Sequence, residues 1–474
     1  MRIQLSDHFT TGKLLRFVAP SIVMMIFTSV YGVVDGLFVS NFVGKTAFAA
    51  VNLIFPLLMI LGALGFMIGT GGSALVARTL GEGDSGRAQR YFSMLVYVTI
   101  GGGIVFSVLG LLFLRPIAVL LGAQGAMLED CVVYGGILLA GQTMFMLQNV
   151  FQSFLITAEK PHFGLGVTVA AGLTNIILDF LFIAVFRWGV AGAALATVLA
   201  QLVSTIGCFI YAFVRYPVLR LHREDWRITL MDVKRHLARG IPLGLQFSVL
   251  AIGIIVMQGG VVKFDMRDGV MVSNAAQNGF GAANRLFNLV ATPMNALGGA
   301  MTSFTAQNLG AGQYDRIRRG TLQALGMVSI LAILAAGTGL LLTRGDFCYH
   351  VFLSADKVTP DAVRYGNSLL YVDFSMYLFL GFVFVVRNCV QGIGRSGFVL
   401  GAGAAELVAR ITVCLVLPGL FAGGAVSADA PAMAFYALCA ADPMAWIAAD
   451  TVLCIPFFRN ILKKNYGYLR SGRA

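Results

Sequence analysis

Twelve stretches of this chain are long and apolar enough to cross a lipid bilayer, and no other feature limits its fold so severely. They lie at about residues 15–40, 48–77, 91–114, 131–157, 163–186, 190–214, 240–262, 278–304, 320–343, 366–392, 398–421 and 432–458. A helix needs about 20 apolar residues to span the hydrocarbon layer. Backbone groups find no water there, so the stretches are read as helices. The ten-residue alternating segments of a membrane β-barrel are absent. Charged residues make up 12% of the chain, against about 25% in a soluble domain. The expected fold is an all-α integral membrane protein of twelve transmembrane helices, with the lipid bilayer as its solvent.

The seven cysteines show no CxxC and mostly fall inside apolar runs, where free Cys acts as a small core hydrophobe. The five histidines lie in polar connections, so no structural metal and no cofactor is expected. In a soluble chain the net charge of +12 would point to nucleic acid. In a membrane protein it reports basic loops facing anionic lipid, and no nucleic-acid partner is expected.

With the N-terminus inside, 23 Lys and Arg lie on the inner side and 8 on the outer, leaving Arg285, Arg387 and Arg410 within spans. That bias places both termini in the cytoplasm. The polar first sixteen residues and the long run after them favour an uncleaved first span over a signal peptide. The longest basic connection, 215–239, follows six spans and precedes six more. It divides the chain into an N-terminal six-helix lobe (1–214), a cytoplasmic linker (215–239) and a C-terminal six-helix lobe (240–474). Self-similarity supports the division. Residues 80–87 read LGEGDSGR and residues 309–316 read LGAGQYDR, both LGxGxxxR, and Pro20 and Pro242 open spans 1 and 7. An even number of spans per half makes the repeat parallel, an architecture of transporters with a path between the halves.

An ionisable group inside lipid costs several kcal/mol, so each one is a functional suspect. Asp35, Asp179, Asp373, Arg387, Glu406 and Arg410 lie well inside spans, and Asp450 and Arg285 nearer span ends, within snorkelling reach of the interface. Asp35 lies fifteen residues after Pro20, whose missing N–H allows a kink. Asp179 lies one turn beyond Asn175, on the same helix face. No Lys or Arg in the same half's core neutralises either acid, so burial favours a neutral, proton-carrying carboxyl. The same oxygens, with an amide and a hydroxyl, suit a hard cation such as sodium. The plainer alternative is a permanently protonated pair joining spans 1 and 5. Glu406 and Arg410, four apart on one helix, read first as an intrahelical ion pair. Asp373 reads as facing a vestibule, and Arg387 as capping carbonyls or reaching the inner interface. Residues 81–84, GEGD, match the GxGD of intramembrane aspartyl proteases but sit in a charged connection, where a loop is the better reading. No GxxxxGK[ST] is present, so this chain does not hydrolyse ATP through such a loop.

Taken together, Pro20 with Val34-Asp35, the LGEG after span 2, the stretch from Asn175 to Asp179, the GVAGAALAT of 189–197, Pro242 and the QNLGAG of 307–312 resemble the multidrug and toxic compound extrusion (MATE) family, nearest its DinF-like prokaryotic branch. The resemblance covers nearly the whole chain. It implies a V-shaped pair of six-helix bundles that exports organic cations in exchange for protons or sodium, from the plasma (inner) membrane and as a monomer. It also implies a coupling site at Asp35, Asn175, Asp179 and Thr197, supported by Tyr134, Asn149 and Gln152, with bending of span 1 near Pro20. Other branches carry a glutamate in span 7, eight residues after the proline; here that position is Leu250. Asp373, Glu406 and Arg410 are therefore second-tier candidates.

The expected function is a cation-coupled antiporter for small lipophilic organic cations, working by alternating access and not an enzyme. A lipid-linked saccharide flippase of the same superfamily would want a strongly cationic cavity. A major-facilitator transporter would carry a GxxxDRxGRR-like loop after span 2, which residues 81–90 fit poorly. An intramembrane enzyme would need catalytic acids facing each other across adjacent spans.

Overall fold

The computed structural model describes residues 11–121, 123–215, 252–353 and 357–467. The linker from residue 216 onward, Pro242 and Leu250 lie outside them. The first half contributes α1 (Thr11–Phe38), α2 (Lys45–Gly81), α3 (Ser85–Leu120), α4 (Gly125–Ala140), α5 (Gln142–Thr157), α6 (Pro161–Asp179) and α7 (Gly189–Arg215). After it come α8 (Ile252–Lys263), α9 (Ala275–Gly310), α10 (Tyr314–Leu342), α11 (Phe347–Phe352), α12 (Pro360–Ser375), α13 (Tyr377–Gly392), α14 (Ser396–Ala422), α15 (Ala432–Cys439) and α16 (Ala441–Pro456). Local chemistry sets several of the boundaries. The Asp84 carboxylate accepts the Arg87 N–H at 2.8 Å to cap α3, Pro161 opens α6, and α14 ends at Gly423 in the left-handed region, the usual device of a helix stop.

Eight helices among the described residues are long and apolar enough to span a membrane. The fourth and tenth expected spans are each broken into two helices, α4 and α5 meeting at 51° and α12 and α13 at 57°. Counting each bent pair as one span gives ten. Two expected spans remain. Only the last part of span 7, α8, lies within the described residues. The other, α9, is long but polar, carrying Gln277, Asn278, Asn284, Arg285, Asn288 and Asn295. The lipid-directed surfaces are plain. On α3, Ile104, Val105, Val108, Leu112 and Phe113 are all exposed, which is stable only against an apolar solvent.

The described residues pack into two units, one of residues 12–215 with 302–313 and the other of residues 252–301 with 314–467. Inside the first, Phe92 meets Phe151 and Phe154 edge-on in a core with Leu147 and Leu155. A second core gathers Val39, Ile54, Leu58, Leu139 and Tyr134. In the second unit Phe287 stacks on Trp446 and meets Tyr377 edge-on. A short antiparallel hairpin, β1 (Met266–Arg267) and β2 (Val270–Met271), joins α8 to α9, and its Arg267 pairs with Asp429.

The duplicated glycine motifs meet. A Cβ on Gly81 would lie 2.0 Å from the Gln307 carbonyl oxygen, and one on Gly310 would lie 2.0 Å from the Arg78 carbonyl oxygen. The ends of α2 and α9 thus cross backbone to backbone, each motif supplying the glycine that the other needs. Ala74, Ala77 and Ala306 continue the contact, and the Thr157 and Ser303 hydroxyls bond at 2.8 Å beside it. Overpacking a close contact costs about 1–3 kcal/mol. Gly310→Ala is therefore expected to lower the thermal unfolding midpoint of the detergent-purified protein, whereas Gly326→Ala, which meets open space, leaves it nearly unchanged. Equal midpoints for the two variants would count against the crossing.

Candidate functional site

Both N-terminal acids sit where an α-helix gives way to a π-helical turn. Asp35 lies one turn before the π segment Val39–Val43, and Asp179 is the last residue of α6 before the π segment Phe180–Val185. A π-turn widens the helix and redirects its side chains, a device frequent at functional sites. Gly172 of α6 lies against the rings of Phe27 and Tyr31 of α1, so the two acid-bearing helices approach closely.

The result is a compact polar pocket inside the first unit. Asp179 is 0% exposed and Asn175, one turn earlier, is 2% exposed. The Asp35 and Asp179 carboxyls are close neighbours, and the buried Tyr134 of α4 lies near both. No donor among the described residues reaches Asp35 Oδ1 or either Asp179 oxygen, and the Asn175 amide nitrogen likewise lacks a partner. Two carboxylates facing each other without a cation need a proton or a cation between them.

The other residues expected here are placed differently. Thr197 is half-buried on α7, which packs against α6, and its hydroxyl makes no hydrogen bond among the described residues. Gln152 donates to the Thr168 hydroxyl of α6 at 3.4 Å. Asn149 donates to the Phe145 carbonyl of its own helix at 2.8 Å. Pro20 is buried within α1, which runs unbroken from Thr11 to Phe38. Sequence reasoning missed Tyr31, which faces Asp35 from one turn earlier; the i, i+4 spacing was its only signal.

The second unit buries its ionisable groups as a network. Arg387 Nη2 donates to Glu406 Oε2 at 2.7 Å, Arg410 Nη2 lies 3.5 Å from Glu406 Oε1, and Arg410 Nη2 lies 2.8 Å from Asp442 Oδ1. The expected Glu406–Arg410 pair is thus the longest link of three, and each partner bonds more closely to another helix. Arg387 caps no carbonyl among the described residues; it is buried and paired with Glu406. Asp373 is 1% exposed and so faces no open vestibule. Asp450 does not snorkel outward, because its carboxyl faces Arg387 and Glu406.

The sequence profile of the MatE family matches residues 20–181 and 264–416. The chain belongs to the MatE family. It is accordingly a multi-pass membrane transporter and not an enzyme. The chain is similar to YoeA of Bacillus subtilis, named a probable multidrug resistance protein, at 24% identity over 80% of each chain. It is also similar to the multidrug export protein MepA of Staphylococcus aureus, at 22% identity over 86% of each. Among solved structures, an outward-facing multidrug resistance MATE transporter matches with a TM-score of 0.86 at 21% identity, over 97% of both chains. A MATE transporter in complex with MaL6 matches with a TM-score of 0.85 at 21% identity, over 98% of this chain and 99% of that one. At such identities the structural likeness speaks for the fold: twelve helices in two bundles.

Removing one partner of a buried ion pair typically costs about 3–5 kcal/mol, because the remaining charges stay buried. Arg410→Ala leaves Asp442 without its guanidinium and Glu406 with Arg387 alone, and is expected to lower the unfolding midpoint far more than Arg344→Ala on the exposed surface. Similar midpoints for the two variants would show that the network carries no such strain.

Proposed function

We propose that this MATE transporter exports small lipophilic organic cations across the plasma membrane in exchange for protons, with Asp35 and Asp179 as the coupling pair. The observation that carries the reading is the closeness of two carboxyls whose Asp35 Oδ1 and Asp179 oxygens are buried and meet no hydrogen-bond donor among the described residues. Asn175 and Tyr134 frame the pair, and Thr197 stands on the neighbouring helix. The excess of Lys and Arg in alternate connections supports both termini in the cytoplasm. The multidrug names of the relatives support the substrate class. A flippase for phosphate-linked sugars is disfavoured, since both guanidiniums of the second unit's interior are taken up by acids.

In the cycle, the outward-facing pair takes a proton, α1 shifts, and the organic cation is released outside; return to the inward-facing state frees the proton to the cytoplasm. Coupling requires that proton and drug favour different states, each by its differential affinity. α1 is well placed to respond, since it carries both Asp35 and the buried Pro20, a weak point in its hydrogen bonding. One proton exchanged for one monovalent cation moves no net charge. Two protons would recruit the membrane potential, worth about 2.3 kcal/mol per charge per 100 mV.

The test is export of an ethidium-like dye from proteoliposomes under separately imposed proton and sodium gradients. Asp35→Asn and Asp179→Asn are each expected to lower proton-driven transport at least about tenfold, equivalent to ~1.4 kcal/mol of coupling. Undiminished proton-driven transport in both variants would overturn the assignment. Drive by sodium alone would replace the proton with sodium at the same oxygens.

A further inference from the structure

The second unit encloses four carboxyls, two of them only partly buried, and two buried guanidiniums on four helices, and their partners divide them into two rungs. In one rung Arg410 of α14 bonds Asp442 of α16, and Asp373 of α12 stands beside both. In the other, Arg387 of α13 bonds Glu406 of α14, and Asp450 of α16 stands beside both. The link between Arg410 and Glu406 joins the rungs. The geometry repeats along α16, where Asp442 and Asp450 are two turns apart on one face.

Each rung has two acids for one base. Glu406 and Asp442 receive the guanidinium hydrogen bonds; Asp373 Oδ1 and Asp450 Oδ2 are buried and receive none. Arg387, about nine-tenths buried, keeps its Nε without a partner. A fully ionised ladder would carry two surplus negative charges away from water, and each would cost several kcal/mol. A metal cation is a poor remedy, since a guanidinium occupies each rung. A proton removes the surplus with no added ligand.

We propose that Asp450 is a proton-binding site of the C-terminal unit, held by the Arg387–Glu406 pair and separate from the coupling pair on α1 and α6. The groups facing it are Arg387 from α13, Glu406 from α14, and Cys454 one turn along its own helix; Asp442, two turns away, belongs to the other rung. Its proton is the one that balances the Arg387 rung, as the proton on Asp373 balances the Arg410 rung.

The experiment is infrared spectroscopy of the full-length purified protein at neutral pH, following the carbonyl band of protonated carboxyl groups. An Asp35→Asn, Asp179→Asn background removes the N-terminal pair, so the result does not depend on whether that pair couples transport. Two buried protonated carboxyls then remain, and Asp450→Asn is expected to lower the band by about half. Glu406→Gln provides a second arm that keeps Asp450 in place. With Glu406 neutral, Arg387 is left facing Asp450 alone, the rung balances, and the band again falls by about half. A purely structural Asp450, permanently ionised, would leave the band unchanged in both variants, and that result would overturn the proposal. Should Asp450→Asn fail to fold, an unchanged band in Glu406→Gln would overturn it alone.

Discussion

A charge inside this protein has no water to return to, and that cost organises everything polar in the fold. In a medium of low dielectric a carboxylate survives only beside a cation, under several hydrogen bonds or with a proton attached. The two units meet this demand in different ways. The first brings Asp35 and Asp179 together with no base among their close neighbours in the described residues. The second ties Glu406 and Asp442 to guanidiniums and leaves Asp373 and Asp450 beside them. A bare pair can change its occupancy with modest rearrangement, which suits a coupling site. A cross-linked ladder resists rearrangement, because any rotation of α14 relative to α13 or α16 pulls apart bonds that are costly to leave unmade.

The frame that holds these groups shares features between the two halves. Spans 4 and 10 are both broken near mid-length, at Gly141 and at Met376. The first break uses its glycine physically, since a Cβ there would meet Val198 of α7 at 2.5 Å. The LGxG motifs, equivalent by sequence offset, lock against each other through Gly81 and Gly310. The duplication is therefore visible in backbone geometry while the buried chemistry has diverged. Helix packing tolerates many side chains of suitable size, whereas a single buried charge must be answered locally.

Much of the frame was legible in the sequence, because hydropathy and the cost of unpaired backbone in lipid leave few alternatives. Asp35 and Asp179 were legible on the same grounds: an acid within an apolar run is conspicuous, and Asn175 falls one turn away. The breaks in spans 4 and 10 were not, because hydropathy continues across Gly141 and Met376 and bending depends on neighbouring helices. Nor was the ladder. The i, i+4 spacing of Glu406 and Arg410 favoured a pair within one helix, yet both bond more closely to Arg387 and Asp442 on other helices. Asp442, eleven residues into its span, was not picked out at all. Spacing along one helix cannot report which helix lies opposite.

The hydrogen bonds of Asn149 and Gln152 are a further case in which the facing helix decides the partner. Both lie on α5 within reach of the site's helices, but Asn149 bonds its own helix and Gln152 bonds Thr168, two turns from Asn175 on α6. The Gln152 amide thus ties α5 to α6. Among the described residues, Tyr134 and Asn175 stand near the two acids. A proton needs only the two facing carboxyls.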